Sequence, residues 1–354
     1  MLPKKIRSAL RTLASPELTV AALAALMVLV TACTLAQTRL GNFDAVKVYI
    51  RSAFIWWEPA RSSWRVPLFP GGASVGLLLL TNLLAAHWLR LERSRRKAGM
   101  WLAHLGLILL FAGEFAAAAF RTESRLALQE GRPKNYSEET HRAELVLMDA
   151  ADPARDKVYA VPRELFNRPG DVRDARMPVA LRVLRVEASP ADGDGGAGRV
   201  VADVEALDAG RSLGVWRLLD GSGTSREFTS AGRVCRLAVR PARRYFPYTL
   251  TLEKFRRDVY PGTDIPKNFS SRVRLSDPDK GPDRGVLISM NSPLRYGGRT
   301  FYQSGFGMND TLSVFQVVEN PSRRLPYVSC VMVAVGLLIH FLSRLRRGPR
   351  RAGA

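Results

Sequence analysis

The sequence predicts a membrane protein with four transmembrane α-helices and a large, mainly antiparallel β extracytoplasmic domain inserted between helices 3 and 4. Three observations predict it. The apolar residues of the 354-residue chain gather into four blocks, Leu18 to Ala36, Ala73 to Leu89, Met100 to Phe120 and Tyr327 to Leu342. Each is close to the roughly 20 residues that a helical bilayer crossing needs. Between the third and fourth lies a polar stretch of domain size, rich in alternating strand patterns. Basic residues crowd the remaining short segments.

The charge distribution gives the topology. Residues 1–16, the link 90–97 and the tail from Arg344 together hold 14 bases and one acid, so +13 of the net +21 sits in three short segments beside the spans. Lys and Arg mark the cytoplasmic side of short loops. With four crossings, those three segments fall on one face without adjustment. The expected order is a cytoplasmic basic N-terminus (1–17), first span (18–36), periplasmic loop (37–72) and second span (73–89). A cytoplasmic basic loop (90–99), third span (100–120), periplasmic β-rich domain (121–325), fourth span (326–342) and cytoplasmic tail (343–354) complete it. A basic balance placed this way serves topology, and no nucleic-acid partner is expected.

The N-terminal "KKIR", apolar run and "VTAC" also fit a leader ending at a lipidated Cys33. That segment is long for a leader, contains Glu17, and its removal would spoil the even number of crossings, so an uncleaved span is the preferred reading. Cys33, Cys235 and Cys330 form no CxxC and no metal spacing, which excludes a thiol–disulfide catalyst of the usual pattern. A Cys33–Cys330 disulfide is geometrically conceivable, and buried apolar cysteines are the simpler expectation.

In the loop 37–72, Phe43, Val46, Ile50, Phe54 and Trp57 recur at helical spacing, which predicts a short helix lying on the outer surface. "PLFPGG" (67–72) then breaks the chain before the second span. In the large domain "AELVLMD", "PVALRVLRVEA", "GRVVADVEAL", "YTLTLEKFRRDVY", "RGVLISM" and "TLSVFQVVE" read as strands. "ADGDGGAG" (191–198) is a hairpin tip; it lacks the twelfth-position glutamate of a calcium loop.

Three of the four histidines, His87, His104 and His340, lie in the predicted spans. All three fall in the cytoplasmic half: His87 is three residues before Arg90, His104 seven after Lys97, and His340 four before Arg344. His87 and His340 could be interfacial side chains that reach the headgroups. His104 lies deeper, about 10 Å in at 1.5 Å per residue. A neutral imidazole at that depth, with no zinc spacing nearby, fits haem iron better than zinc. Glu114 shares the third span but sits about 15 Å and about 80° away from His104, too far to share its proton. Pairing with a partner and a functional role are both open for it. No catalytic constellation is evident.

"NLLAAHWLR" (82–90), "HLGLILLFAGE" (104–114), "YPGTDIPKNFSSRVRL" (260–275), "MNSPLRYGGRTFYQSGF" (290–306) and "VVENP…LPYVSC…GLLIHF" (317–341) together resemble the ResB (CcsB) family of System II cytochrome c biogenesis proteins. The resemblance covers the spans and the last third of the outer domain, and is weak from about 145 to 245. It implies a membrane subunit that works with a multi-span CcsA (ResC) partner. Together they move or hold haem and present it to the CxxCH cysteines of apocytochrome c, in the inner membrane of a bacterium. It implies that His104 is a haem contact, with His340 and His87 as further cofactor-binding candidates. It also implies that the chain is a subunit of a cytochrome c synthase and not a catalyst by itself. The partner's tryptophan-rich haem-handling motif is absent, and "WWEP" (56–59) does not reproduce it, so the haem site is expected to be shared. A scaffold that binds no haem is the alternative. The glycines and alternating aromatics of "GTDIPKNFSS" and "NSPLRYGGRTFYQSGF" fit core hairpins, with a partner-facing surface as the other reading.

Overall fold

A computed structural model describes residues 10–57, 64–91, 94, 97–150, 157–174, 176–188, 199–221, 223–263 and 265–345, without the side chains of Phe43 and Pro266. The predicted hairpin tip 191–198, Glu58 and Pro59 of "WWEP", and most of the three basic segments lie outside these residues. The chain divides into two units, one of residues 1–121 and 320–354 and the other of Thr122–Glu319.

Among the described residues the first unit contains four helices long and apolar enough to cross a membrane: α1 (Pro16–Ala45), α2 (Gly72–Leu89), α3 (Ala98–Phe120) and α4 (Leu325–Leu345). Helix α1 starts where sequence rules place a start. Ser15 accepts the Leu18 N–H through Oγ (3.2 Å), and Pro16 follows at the first helical position. It runs beyond the apolar block and breaks direction at Gly41, whose φ of 75° is outside the helical range. Within the apolar block the Thr31 and Thr34 hydroxyls donate to the carbonyls of Met27 (2.9 Å) and Val30 (2.8 Å), so these polar groups are satisfied inside the helix.

The helix expected from Phe43 to Trp57 is formed in part: beyond the break at Gly41 the chain stays helical to Ile50, and the last part of the expected helix is strand. Val46–Ile50 is a π-helical turn that continues α1. Phe54–Trp57 (β1) instead pairs antiparallel with Val66–Pro70 (β2), with a bulge between Ile55 and Trp56. Five apolar residues at spacings of three and four fit a helix face, but aromatic and β-branched residues at 54–57 fit a strand equally well, and the strand gains a partner. "PLFP" is therefore strand, and only the glycines after it turn the chain.

Helices α3 and α4 pack backbone to backbone. A Cβ on Gly99 would lie 2.5 Å from both Gly336 O and His340 N, and one on Gly106 2.9 Å from Ser329 O. One on Gly113 would touch Leu325 Cβ at 3.0 Å. In lipid, where apolar faces gain nothing by leaving solvent, this approach of small residues is what holds two helices together. Helix α2 is joined to α1 by polar groups. Asn82, 3% exposed, donates to Leu13 O (2.6 Å) and Ser15 O (3.0 Å) and accepts from Thr19 Oγ1 (2.7 Å). It thereby ties the chain just before α1 to α2, sharing the Ser15 carbonyl with the Thr19 N–H of the first helical turn (3.4 Å).

Among the described residues the strand ladders of the second unit are all antiparallel, and one isolated bridge, Glu130–Leu252, is parallel. Its spine is β4 (Pro133–Asp149) against β11 (Arg233–Val259). At one end of the spine β5 (Lys157–Pro162) and β10 (Arg226–Ser230) flank the pair. A four-stranded sheet, β6 (Gly170–Val172), β7 (Ala180–Ala188), β8 (Val200–Asp208) and β9 (Arg211–Leu219), closes a core there with Leu145, Leu147, Phe166, Leu181, Val204 and Leu237. At the other end lie β3 (Thr122–Gln129), β12 (Pro266–Ser276), β13 (Arg284–Ser289), β14 (Leu294–Tyr296), β15 (Arg299–Gly307) and β16 (Leu312–Glu319). They enclose a second core around Leu126, Phe246, Tyr248, Leu250, Phe301 and Phe315. Strand β11 passes from one core to the other. Its register shifts lie beside Pro241 and around Pro247, where a missing N–H costs the ladder least.

All six sequence-predicted strands are present. Between the cores the spine is cross-linked by charge: Arg240 Nε lies 2.9 Å from Glu144 Oε1, and Arg243 Nε 3.1 Å from Glu138 Oε1. The Arg240–Glu144 pair is nearly buried, so removing one partner strands the other charge. Arg240→Ala is expected to destabilise the protein by about 3 kcal/mol. Chemical unfolding of the detergent-solubilised chain checks it, with Arg240→Met/Glu144→Leu recovering most of the loss.

Candidate functional site

The membrane histidines are positioned by which faces of the helices meet. At about 100° per residue, Gly99, Ala103, Gly106 and Gly113 share one sector of α3, the sector turned to α4. His104 lies about 140° from Gly99 round the helix and so points away from α4. It meets α2. The ring centroids of His87 and His104 are 6.0 Å apart with an interplanar angle of 38°. His87, in the last turn of α2, is wholly buried, with the Trp101 ring edge-on at 4.0 Å and Trp88 at 5.7 Å. His104 is half-buried, and its Nδ1 is enclosed without a hydrogen-bond partner.

His340 is placed elsewhere. Its backbone lies against Gly99 on the α3–α4 seam, and its ring meets Phe341 at 5.7 Å. Glu114 is exposed on α3 and has no hydrogen bond or ion pair with any described residue. The structure therefore brings His87 and His104 together and leaves His340 and Glu114 apart from them. Cys33, Cys235 and Cys330 are all free thiols. Among the described residues no group of three or more His, Cys, Asp or Glu could hold a metal ion.

An iron porphyrin asks for a neutral imidazole with a nitrogen available at a surface. His104 fits in part: its ring is partly open, but Nδ1 is enclosed and is not the nitrogen that could reach an iron. His87 is enclosed by rings and fits as a neighbour of the contact more than as the contact. Sequence reading missed the tryptophans. The signal was available in "HW" (87–88) and in "WLAH" (101–104), where spacing by three puts indole and imidazole on one face.

In the β unit both quoted stretches are hairpins. Gly297 (φ 56°) and Gly298 (φ 79°) form a two-residue turn with both residues left-handed, the geometry that matches strand twist. Leu294 and Phe301 then face each other in the second core. Tyr260 N–H bonds to Ile265 O (3.0 Å) before β12 begins. The buried Ser271 and Ser313 hydroxyls bond to each other (2.8 Å), and Gln303 bonds to both (2.7 and 2.9 Å). The hydroxyl of Tyr296 donates to Asp277, and Lys280 and Arg284 lie 5.0 and 4.9 Å from the Tyr296 ring, around a cavity of about 220 Å³.

The Tyr296 hydrogen bond holds the Asp277 carboxyl below its usual range and raises the Tyr296 phenol. A depressed carboxylate stabilises the fold above the unfolded value, about 3.9, and loses that contribution as pH falls through the folded value. Tyr296→Phe is therefore expected to lower the melting temperature at pH 7, with the gap to wild type closing as the pH drops below about 4. Thermal melts across that range check it.

These features define a class: a chain of four long apolar helices, with a histidine–tryptophan cluster between two of them, that carries a two-core antiparallel β unit. Within that class part of the β unit is similar to a known family. Residues 220–314, from just before β10 into β16, match the ResB-like family. A stretch of 111 residues is 30% identical to Protein NrfI of Wolinella succinogenes, covering 31% of this chain and 12% of that protein. A stretch of 78 residues is 37% identical to the cytochrome c biogenesis protein CcsB of a Synechococcus species, covering 22% of this chain and 17% of CcsB. The matched stretches thus span less than a fifth of either relative. They bear out the family resemblance read from the motifs.

Proposed function

We propose that this chain is a membrane subunit of a System II cytochrome c biogenesis complex. In it, the chain helps to move or hold haem and present it for covalent attachment to apocytochrome c, together with a CcsA/ResC-like partner. The observation that carries the reading is the ResB-like segment 220–314 in a chain whose other unit is four membrane-length apolar helices. The similarity to a protein named for cytochrome c biogenesis supports it.

In this reading both termini are cytoplasmic, and the β unit, inserted between α3 and α4, is periplasmic. The basic segments of the sequence support that orientation. Haem is cargo, and His104 is the side chain of this chain that would hold its iron, in a site completed by the partner. His104 supplies a neutral imidazole; the enclosed His87 backs it and keeps water from that side. The β unit docks apocytochrome or supports the partner, and covalent attachment belongs to the complex.

The test is co-expression with a CcsA-like partner and a CxxCH-containing reporter cytochrome, reading covalent haem by in-gel peroxidase staining. His104→Ala is expected to lower matured cytochrome about tenfold or more, as loss of a metal ligand does, with partial recovery when imidazole is supplied. Full maturation after replacing His87, His104 and His340 together, with the β unit still required, would leave a scaffold that binds no haem.

A further inference from the structure

We propose that the outward face of the β1–β2 pair rests on the boundary between lipid headgroups and acyl chains, with Trp56, Trp57 and Trp64 as its anchors. This contact asks only for the membrane-length helices, and haem plays no part in it. The strand pair has two unlike faces. Ile55 and Phe69, directly opposite each other, pack on a helix core of Ala22, Leu29, Val75 and Leu79. Phe54, Trp56, Trp57, Trp64 and the bulge residue Leu68 are instead 47 to 67% exposed. The Phe54 and Trp56 rings meet at 6.2 Å, and those of Trp57 and Trp64 at 6.5 Å. The foot of the pair is fixed to the start of α2. Gly71 N–H donates to Ala53 O (2.8 Å), Ala73 N–H to Ser52 O (3.3 Å) and Ser74 Oγ to Ala53 O (2.7 Å). A Cβ on Gly71 would lie 2.2 Å from Ser52 O, and one on Gly72 2.5 Å from Ile50 O, so neither can be replaced without moving the foot.

Helix length sets the depth. Helix α2 has 18 residues, so it is about 27 Å long, close to the roughly 30 Å of the hydrocarbon layer. Its first residue, Gly72, follows β2 almost directly, so the strand pair stands where α2 reaches the edge of that layer. Exposed apolar side chains continue onto the helices it packs against, with Leu35 of α1 and Leu77 of α2 at 69 and 54%. Two other depths are ruled out by chemistry. In open water three indoles, a phenylalanine and a leucine would stay uncovered together, a patch that soluble surfaces avoid. In the hydrocarbon the outer edges of the pair would hold carbonyls and amides without partners, because among the described residues β1 and β2 pair only with each other. Pro67 and Pro70 remove two of the amides but none of the carbonyls. The boundary meets both demands, covering the rings and wetting the edges. It is also where tryptophan belongs, with an apolar body in the chains and its N–H among the headgroups.

Depth-dependent quenching of tryptophan fluorescence tests this in the full chain, reconstituted in phosphatidylcholine nanodiscs. The chain has six tryptophans, and Trp88→Phe/Trp101→Phe/Trp216→Phe leaves the three at 56, 57 and 64. If that variant melts early, the same signal is read as wild type minus Trp56→Phe/Trp57→Phe/Trp64→Phe. The quenchers are lipids spin-labelled near the carbonyl end or near the terminal methyl of the acyl chain, and iodide in the water. The shallow label is expected to quench about twofold or more better than the deep one, with iodide several-fold less effective than on free N-acetyltryptophanamide. Indoles open to iodide and untouched by either lipid label would stand in water, which overturns the proposal. Indoles shielded from iodide and from both labels would be covered by protein, a second copy of this chain, which overturns it too. Stronger quenching by the deep label contradicts the assigned depth.

Discussion

The approach of α3 to α4 across glycine is the constraint from which the rest of the membrane unit follows. At Gly99 and Gly106 the partner's backbone occupies the space a side chain would need. That contact fixes one sector of α3, and the remaining faces take their roles by exclusion. His104 and Trp101 turn to α2, His340 is held on the seam, and Glu114 stays on the outside. The segments that continue these two helices are paired a second time inside the β unit. Strands β3 and β16 run antiparallel in register from Thr122–Glu319 to Gln129–Leu312. Two stretches nearly 200 residues apart in sequence are thus bound first as helices through small residues and again as strands through a backbone ladder.

The β unit solves a different problem, two cores on one pair of strands. A 27-residue strand can serve both only if it changes register between them, and β11 does so where Pro241 and Pro247 already interrupt the ladder. The residues between the cores are held by arginine–glutamate pairs and by Tyr136, whose ring carries Arg243 at 4.1 Å and Lys134 at 4.6 Å. Burial lowers the Lys134 ammonium and raises the Tyr136 phenol from their ordinary values. This neck is polar, and both cores depend on it.

These two solutions were unequally legible in the sequence. The spans were plain because crossing lipid is a matter of length and hydropathy. Strands with a buried face were plain because apolar residues alternate along them, as in β16. The first half of β4, "PKNYSEETH", showed no such alternation, because it is held by ion pairs to the arginines of β11. The helix expected at 43–57 stops at Ile50, and Phe54–Trp57 is strand, because the apolar residues there satisfy strand and helix spacing alike. The glycines at 99, 106 and 113 recur every seven residues, a signal that the sequence reading did not use, whereas the ring cluster around His87 leaves no such period. Histidine depth can be counted from a sequence; the neighbours of a histidine depend on how helices are rotated.

The central claim is that His104 holds haem iron at the surface of this chain. The direct measurement is the haem content and reduced absorption spectrum of the complex purified with its CcsA-like partner, with His104→Ala, His340→Ala and wild type compared side by side. The account predicts that His104→Ala loses most of the bound haem or shifts its absorption bands, while His340→Ala, on the opposite seam of α3, keeps both. Equal haem content and an identical spectrum in His104→Ala and wild type would contradict it.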